Sequence, residues 1–158
     1  MKNRASSGFT LMELLVSIAI LGIFALLALP TADLAMQRSK EAELRLGLRE
    51  IRQALDAYKQ AADEGRIVVV PGASGYPKRL QELVDGAEDA RSPVRARIYF
   101  IRRIPRDPFA APEISAEQTW GLRSYASPAN RPEPGSDVYD VWSRQDGVGL
   151  NGVPYKEW

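Results

Sequence analysis

The feature that most limits this chain is an apolar run over residues 9–29 interrupted by one carboxylate, Glu13. A short polar and basic stretch precedes it, Met-Lys-Asn-Arg-Ala-Ser-Ser-Gly. A secretory signal has an apolar middle of ~7–15 residues followed by a small-residue cleavage site. This run is longer, reaches roughly the ~20 residues that cross a bilayer, and ends at Pro30 without such a site. It reads as a single membrane span over residues 9–30. Lys2 and Arg4 hold the N-terminus in the cytoplasm, so everything after the span lies outside it. Glu13 does not suit a plain anchor, because a carboxylate in hydrocarbon costs ~2.5–3.5 kcal/mol on insertion scales. It either reaches headgroups at the interface or has a dedicated cationic partner. Thr10 and Ser17 read as helix-packing residues, while Ala19, Gly22, Ala25 and Ala28 permit close helix approach.

The helical pattern continues beyond Pro30 and becomes amphipathic. Leu44, Leu48, Ile51, Leu55, Tyr58 and Ala62 follow one another at spacings of 4, 3, 4, 3 and 4, one face of an α-helix. Glu43, Arg45, Arg49, Arg52, Lys59 and Asp63 occupy the rest of the circumference, and Glu41 with Arg45 has the orientation of a favourable (i, i+4) pair. Pro30 and Gly47 are the places where this helix bends or loosens. Gly65 with Pro71-Gly72 closes it. The apolar stripe needs a partner, and the remaining residues supply it.

Those residues contain shorter elements. Residues 67–70 are β-branched and form a strand or an extended link. Residues 76–84 predict a short helix with Pro77 near its start. Residues 98–104 read as extended, and Arg106-Asp107-Pro108-Phe109 as a turn. Residues 120–127 and 138–143 are aromatic-rich and strand-like, and the Pro/Gly/Asn loop between them predicts a hairpin. The expected fold is therefore α+β: a long N-terminal helix, half membrane span and half amphipathic, packed on a small C-terminal head with a short antiparallel sheet. The expected divisions are a leader at 1–8, the span at 9–30, the amphipathic continuation at 31–64 and a head at 65–158.

Composition narrows the chemistry. The 158 residues include no Cys and no His, which removes thiolate and imidazole catalysis, disulfides and His-rich metal sites. With 21 basic and 20 acidic residues the net charge is +1, not the basic excess of a dedicated nucleic-acid binder. Arg95, Arg97, Arg102, Arg103 and Arg106 form a basic run, offset by the acids before it, that reads as a solvated or intersubunit face. No carboxylate pair is placed for acid–base work, and no enzymatic role is expected.

The string Gly8-Phe9-Thr10-Leu11-Met12-Glu13 resembles the N-terminal signature of type IV pilins and type II secretion pseudopilins. The resemblance implies cleavage between Gly8 and Phe9 by a prepilin peptidase, N-methylation of Phe9, a helix-bending role for Pro30, and an assembly role for Glu13, whose carboxylate neutralises the new amine of a neighbouring subunit. Further along, Gly75-Tyr76-Pro77, Arg102 through Phe109, Trp120 through Tyr125 and Val138 through Ser143 are similar to the major, G-type pseudopilin of type II secretion. That resemblance implies a structural subunit that polymerises through its N-terminal helix into a secretion filament. It also implies the bacterial inner membrane as anchor, with the N-terminus cytoplasmic and the head periplasmic. The implied partners are further copies of itself, other pseudopilins, the prepilin peptidase and the inner-membrane secretion platform, with no nucleic acid. Within the class, a type IV pilin or a minor or DNA-uptake pseudopilin is the alternative. From another class, a membrane-anchored extracytoplasmic binding module shares the span.

No cofactor is required by this reading, but major pseudopilins hold their C-terminal loop with Ca²⁺. By resemblance the matching donors are Asp140, Ser143, Asp146 and Asn151, with Gly147, Gly149 and Gly152 turning carbonyls inward. The segment departs from the family pattern, being shorter between Ser143 and Asp146 and carrying Arg144. The same residues also read as a glycine turn capped by Asp146 and anchored by Trp142 and Trp158.

Overall fold

The computed structural model describes residues 9–158, and the side chains of residues 25–32 lie outside that description. The leader at 1–8, including Gly8, is therefore outside the described residues. Helix α1 spans Leu11–Asp63. A short helix α2 (Gln81–Asp85), the strands β1 (Ala87–Glu88) and β2 (Arg97–Ile98), and a second strand pair, β3 (Trp120–Arg123) and β4 (Asp140–Ser143), follow. Single 3₁₀ turns occupy Glu117–Thr119 and Tyr155–Glu157. The architecture is α+β with a long N-terminal helix and two small antiparallel sheets.

The chain divides into two compact units, Met1–Ser39 and Lys40–Trp158. The second begins inside α1, because the apolar stripe from Leu44 onward belongs to the core of the head. Leu44, Ile51 and Leu55 are fully buried, and Leu48, Tyr58 and Ala62 are nearly so. They pack with Leu80, Leu83, Ile101, Trp120, Val138, Val141 and Tyr155. Each fully buried Leu or Ile removes enough apolar surface to stabilise the fold by ~1.5–3 kcal/mol before opposing terms. The expected face is the observed one.

Helix α1 runs through Gly47 without interruption. A Cβ at Gly47 would stand 3.4 Å from Trp120 Cη2 and 3.5 Å from Pro105 Cβ, ordinary van der Waals contact, so the helix passes close to both residues. The helix ends where Gly65 takes φ 69°, a left-handed conformation open to glycine at little cost. The Gly65 amide donates to Ala62 O (2.9 Å) and the Arg66 amide to Ala61 O (2.8 Å), satisfying last-turn carbonyls.

Residues 67–70 form no strand, and the predicted helix of 76–84 is helical only over Gln81–Asp85. Of residues 98–104, only Ile98 lies in a strand, paired with Ala87. The predicted hairpin is present. β3 and β4 pair antiparallel with Trp120 opposite Ser143, Gly121 opposite Trp142, Leu122 opposite Val141 and Arg123 opposite Asp140.

In the first unit, the apolar side chains from Phe9 to Phe24 are exposed: Phe9 by 81%, Leu21 by 66% and Ile20, the least exposed of them, by 48%. Among the described residues, no helix is long and apolar enough to cross a membrane. The span expected over residues 9–30 includes residues 25–30, whose side chains lie outside the description.

Candidate assembly site and C-terminal closure

The start of α1 is built by Thr10 and Glu13. Thr10 Oγ1 accepts a hydrogen bond from the Glu13 amide at 3.2 Å, and Thr10 O accepts from the Leu14 amide at 3.1 Å. Thr10 is the N-cap, satisfying one of the amides a helix start leaves open. Ser17 Oγ donates to Glu13 O at 2.7 Å. Thr10 and Ser17 thus both bond the helix backbone locally, a role beside the helix packing expected of them. The signal was in the sequence, since Thr10-x-x-Glu13 has the residue types and spacing of a capping box.

Glu13 lies in the first turn of the helix and is exposed, surrounded by exposed Leu11, Met12, Leu14 and Val16. A carboxylate near a helix N-terminus interacts favourably with the helix dipole. A helix apolar around its whole circumference requires a non-aqueous environment or partner helices. Residues 9–24 therefore present one anionic group within an apolar surface, which suits pairing with a cation inside an assembly. Pro30 lies within α1, among the residues whose side chains are outside the description.

The four oxygen donors expected around a cation are placed separately. Asp140 and Ser143 are three residues apart on β4, so their side chains lie on opposite faces. Asp140 Oδ1 accepts from Arg52 Nε at 2.8 Å, and its Oδ2 lies 3.9 Å from Arg123 Nη1. Ser143 is fully buried and donates to Asp107 Oδ2 at 2.6 Å. Asn151 Oδ1 accepts from the Val153 amide at 3.1 Å. Asp146 is exposed. Ca²⁺ takes 6–8 oxygens as a rule, and the four side chains do not converge to offer them. Among the described residues no three acidic groups are grouped to hold a metal ion. These residues do not fit the family's cation site.

A turn of the kind read as the other alternative occurs one step later, at 149–152. Gly149 N donates to Val153 O and Gly152 N to Gly149 O, at 2.9 and 2.8 Å. Asn151 caps it, the role foreseen for Asp146. Trp158 is one anchor, since a Cβ on Gly149 would lie 2.3 Å from its Cζ2. Trp142 instead covers Gly121.

Two buried acids were missed by sequence reasoning. Asp107, 2% exposed, accepts from Ser143 Oγ and, at 2.9 Å, from the Phe109 amide. Glu41, 4% exposed, accepts from the Leu150 amide at 2.8 Å and from Tyr155 Oη at 2.9 Å. The Asp-Pro-Phe turn offered a hint for Asp107, as Asp bonds its own backbone two residues on. Glu41 reads from the sequence only as a helix-surface partner of Arg45, and its bonds with Leu150 and Tyr155 join residues more than a hundred positions apart. Part of the basic run is structural: Arg106 donates to Ala111 O and Ile114 O, and Arg97 Nη1 to Asp85 O at 2.9 Å.

Comparison with known proteins gives two concordant matches. The prokaryotic N-terminal methylation motif matches residues 3–29. A type II secretion system core protein G of Pseudomonas aeruginosa is 29% identical over 145 residues, 87% of this chain and 93% of that one. Proteins of the same name from Klebsiella michiganensis and Aeromonas hydrophila are each 31% identical, covering 69% and 71% of this chain and 72% and 73% of theirs. No solved structure matches the chain.

Proposed function

The chain belongs to the type II secretion system core protein G family, and we infer that it is a structural subunit of the secretion pseudopilus. The observation that carries the reading is the N-terminal segment of α1, whose exposed apolar surface surrounds Glu13 in its first turn. Such a surface suits a helix that leaves the bilayer only to enter a bundle of identical helices.

The processing chemistry follows from the same segment. Cleavage between Gly8 and Phe9 by the prepilin peptidase creates an amine at Phe9, and methylation leaves it cationic. A cation at a helix N-terminus opposes the helix dipole. Glu13 lies one turn on, a rise of about 6 Å, so an axial stagger between neighbouring helices brings the Glu13 carboxylate of one subunit to the Phe9 amine of the next. Leaving either charge buried alone costs ~3–5 kcal/mol, whereas the pair is tolerated. Glu13 thereby favours assembled subunits and sets their stagger, with Pro30 adjusting the course of the helix. The anchor is the inner membrane, the head is periplasmic, and the partners are identical subunits, other pseudopilins and the secretion platform. We read the subunit as having no catalysis of its own.

The test compares wild type, Glu13→Ala and Glu13→Gln for sheared filament yield, with mass spectrometry of the N-terminus. Cleavage after Gly8 is expected in all three, with filaments lost in both variants. Wild-type filament yield from Glu13→Ala would overturn the pairing.

A further inference from the structure

We propose that a charged strip of helix α1, formed by Glu41, Arg45 and Arg52, closes the C-terminal segment onto the helix, and that this closure needs no bound metal ion. The three residues are spaced by 4 and 7, which places them along one line of the helix surface. Together they hold the start of β4, the middle of the segment after it and Trp158 at its far end.

Arg52 makes the central contacts. Its Nε donates to Asp140 Oδ1 at 2.8 Å, and its Nη2 donates to Val141 O at 3.0 Å and Trp158 O at 2.8 Å. One guanidinium thus gathers three oxygens from the start of β4 and from the distal end of the segment. A planar, permanently charged fork suits this task, whereas a lysine point charge lacks the geometry. Arg45 lies 4.2 Å from the centre of the Trp158 ring, a cation–π contact. Glu41 is buried and takes the Leu150 amide and the Tyr155 hydroxyl, so the middle of the segment is held as well.

The segment's own contacts complete the closure. The Tyr155 amide donates to Gly147 O at 3.0 Å, Trp158 Nε1 donates to Val153 O at 3.1 Å, and the Tyr155 ring meets Phe109 at 4.6 Å and Trp158 at 5.1 Å. Three of the four side chains that a hard cation would recruit are engaged elsewhere, Asp140 by Arg52, Ser143 by Asp107 and Asn151 by Val153, while Asp146 is exposed. In this chain an arginine of the helix occupies the electrostatic role of a loop-bound cation. The consequence is a head whose C-terminal segment stays closed in calcium-depleted surroundings.

The experiment uses the full chain in detergent, with thermal unfolding and limited trypsin digestion read side by side. Wild type is compared in EDTA and in millimolar Ca²⁺, and Arg52→Met and Arg52→Lys are compared in EDTA. Wild type is expected to shift by less than about 2 °C between the two conditions, with no change in cleavage at exposed Arg144. Arg52→Met is expected to lower Tm by about 4–8 °C and to speed cleavage at Arg144 several-fold. Arg52→Lys keeps the charge without the fork and should fall between them. If Arg52→Met does not fold, faster cleavage in Arg52→Lys carries the same meaning. Calcium that raises the wild-type Tm by more than about 4 °C or protects Arg144 overturns the proposal, as do arginine variants that match wild type.

Discussion

Asp137 lies in the loop that joins β3 to β4. Its Oδ1 accepts from Ser124 Oγ and from the Tyr125 amide, both at 2.8 Å. Burial pushes its pKa up, but hydrogen bonds from Ser74, the Tyr125 amide and Ser124 outweigh that effect and hold it below the ordinary carboxylate value. Asp89 is held low by its hydrogen bond from Arg66 and then by the Arg91 amide. A carboxylate whose folded pKa is depressed binds its proton more weakly than in the unfolded chain. Its stabilisation is fully present above the unfolded value, ~3.9, and is lost as pH falls through the lower folded value. The head should therefore keep a constant Tm from neutral pH to about pH 5 and lose stability progressively below about pH 4. Asp137→Asn keeps the shape but weakens two acceptor interactions, which costs ~1–2 kcal/mol at neutral pH. It should also flatten the acid limb. A Tm-against-pH series for both proteins checks this, and an unchanged acid limb in Asp137→Asn would remove Asp137 from the account.

At the scale of elements, the β3–β4 hairpin turns on one missing side chain. Gly121 faces Trp142 across the ladder, and a Cβ there would come within 2.2 Å of Trp142 Cε2. Trp142 Nε1 is buried without a hydrogen-bond partner among the described residues, so packing alone fixes the ring. Gly121→Ala should displace the indole and destabilise the head by ~1–3 kcal/mol, as overpacking does, with a red shift in tryptophan emission. Wild-type emission and Tm in that variant would show that the ring yields freely. The hairpin was legible in the sequence because its signals are local: aromatic and β-branched runs flanking a Pro/Gly loop. The core face of α1 was legible for the same reason, since a period of 3.6 is written along the chain from Leu44 to Ala62. Partnerships between distant residues were not. Ser143 meets Asp107 across 36 positions, and Arg52 meets Asp140 across 88. Their residue types looked like cation ligands and solvated charge until the packing of α1 against β4 assigned them to one another. The Thr10 cap was local and readable, and was passed over only because an apolar helix invites packing explanations first.

The whole molecule combines a unit with its own core and a unit in which no core is found among the described residues. Residues 40–158 bury their apolar stripe internally, whereas Phe9 to Phe24 leave theirs exposed. An exposed apolar surface of this extent demands a covering, and the proposed pseudopilus role would supply it as lipid and then sister helices. The two units should consequently fail separately. Leu21, 66% exposed, lies in the described apolar run. Leu21→Arg introduces a charge that costs ~2.5–3.5 kcal/mol at the centre of a hydrocarbon layer, and it has no Glu13-like partner chemistry to offset it. We expect that variant to lose membrane retention and filament incorporation, while Leu21→Val keeps both. The detergent-solubilised head should melt at the wild-type temperature in each case, because no residue of the Leu44–Ala62 stripe is touched. Membrane fractionation, sheared filament yield and thermal unfolding separate these outcomes. A Leu21→Arg chain that assembles at wild-type levels would mean that the exposed helix is covered by water-bearing surfaces, and the filament role assigned to it would fall. A head that melts several degrees lower would mean instead that stabilising contacts reach from Leu21 to the core.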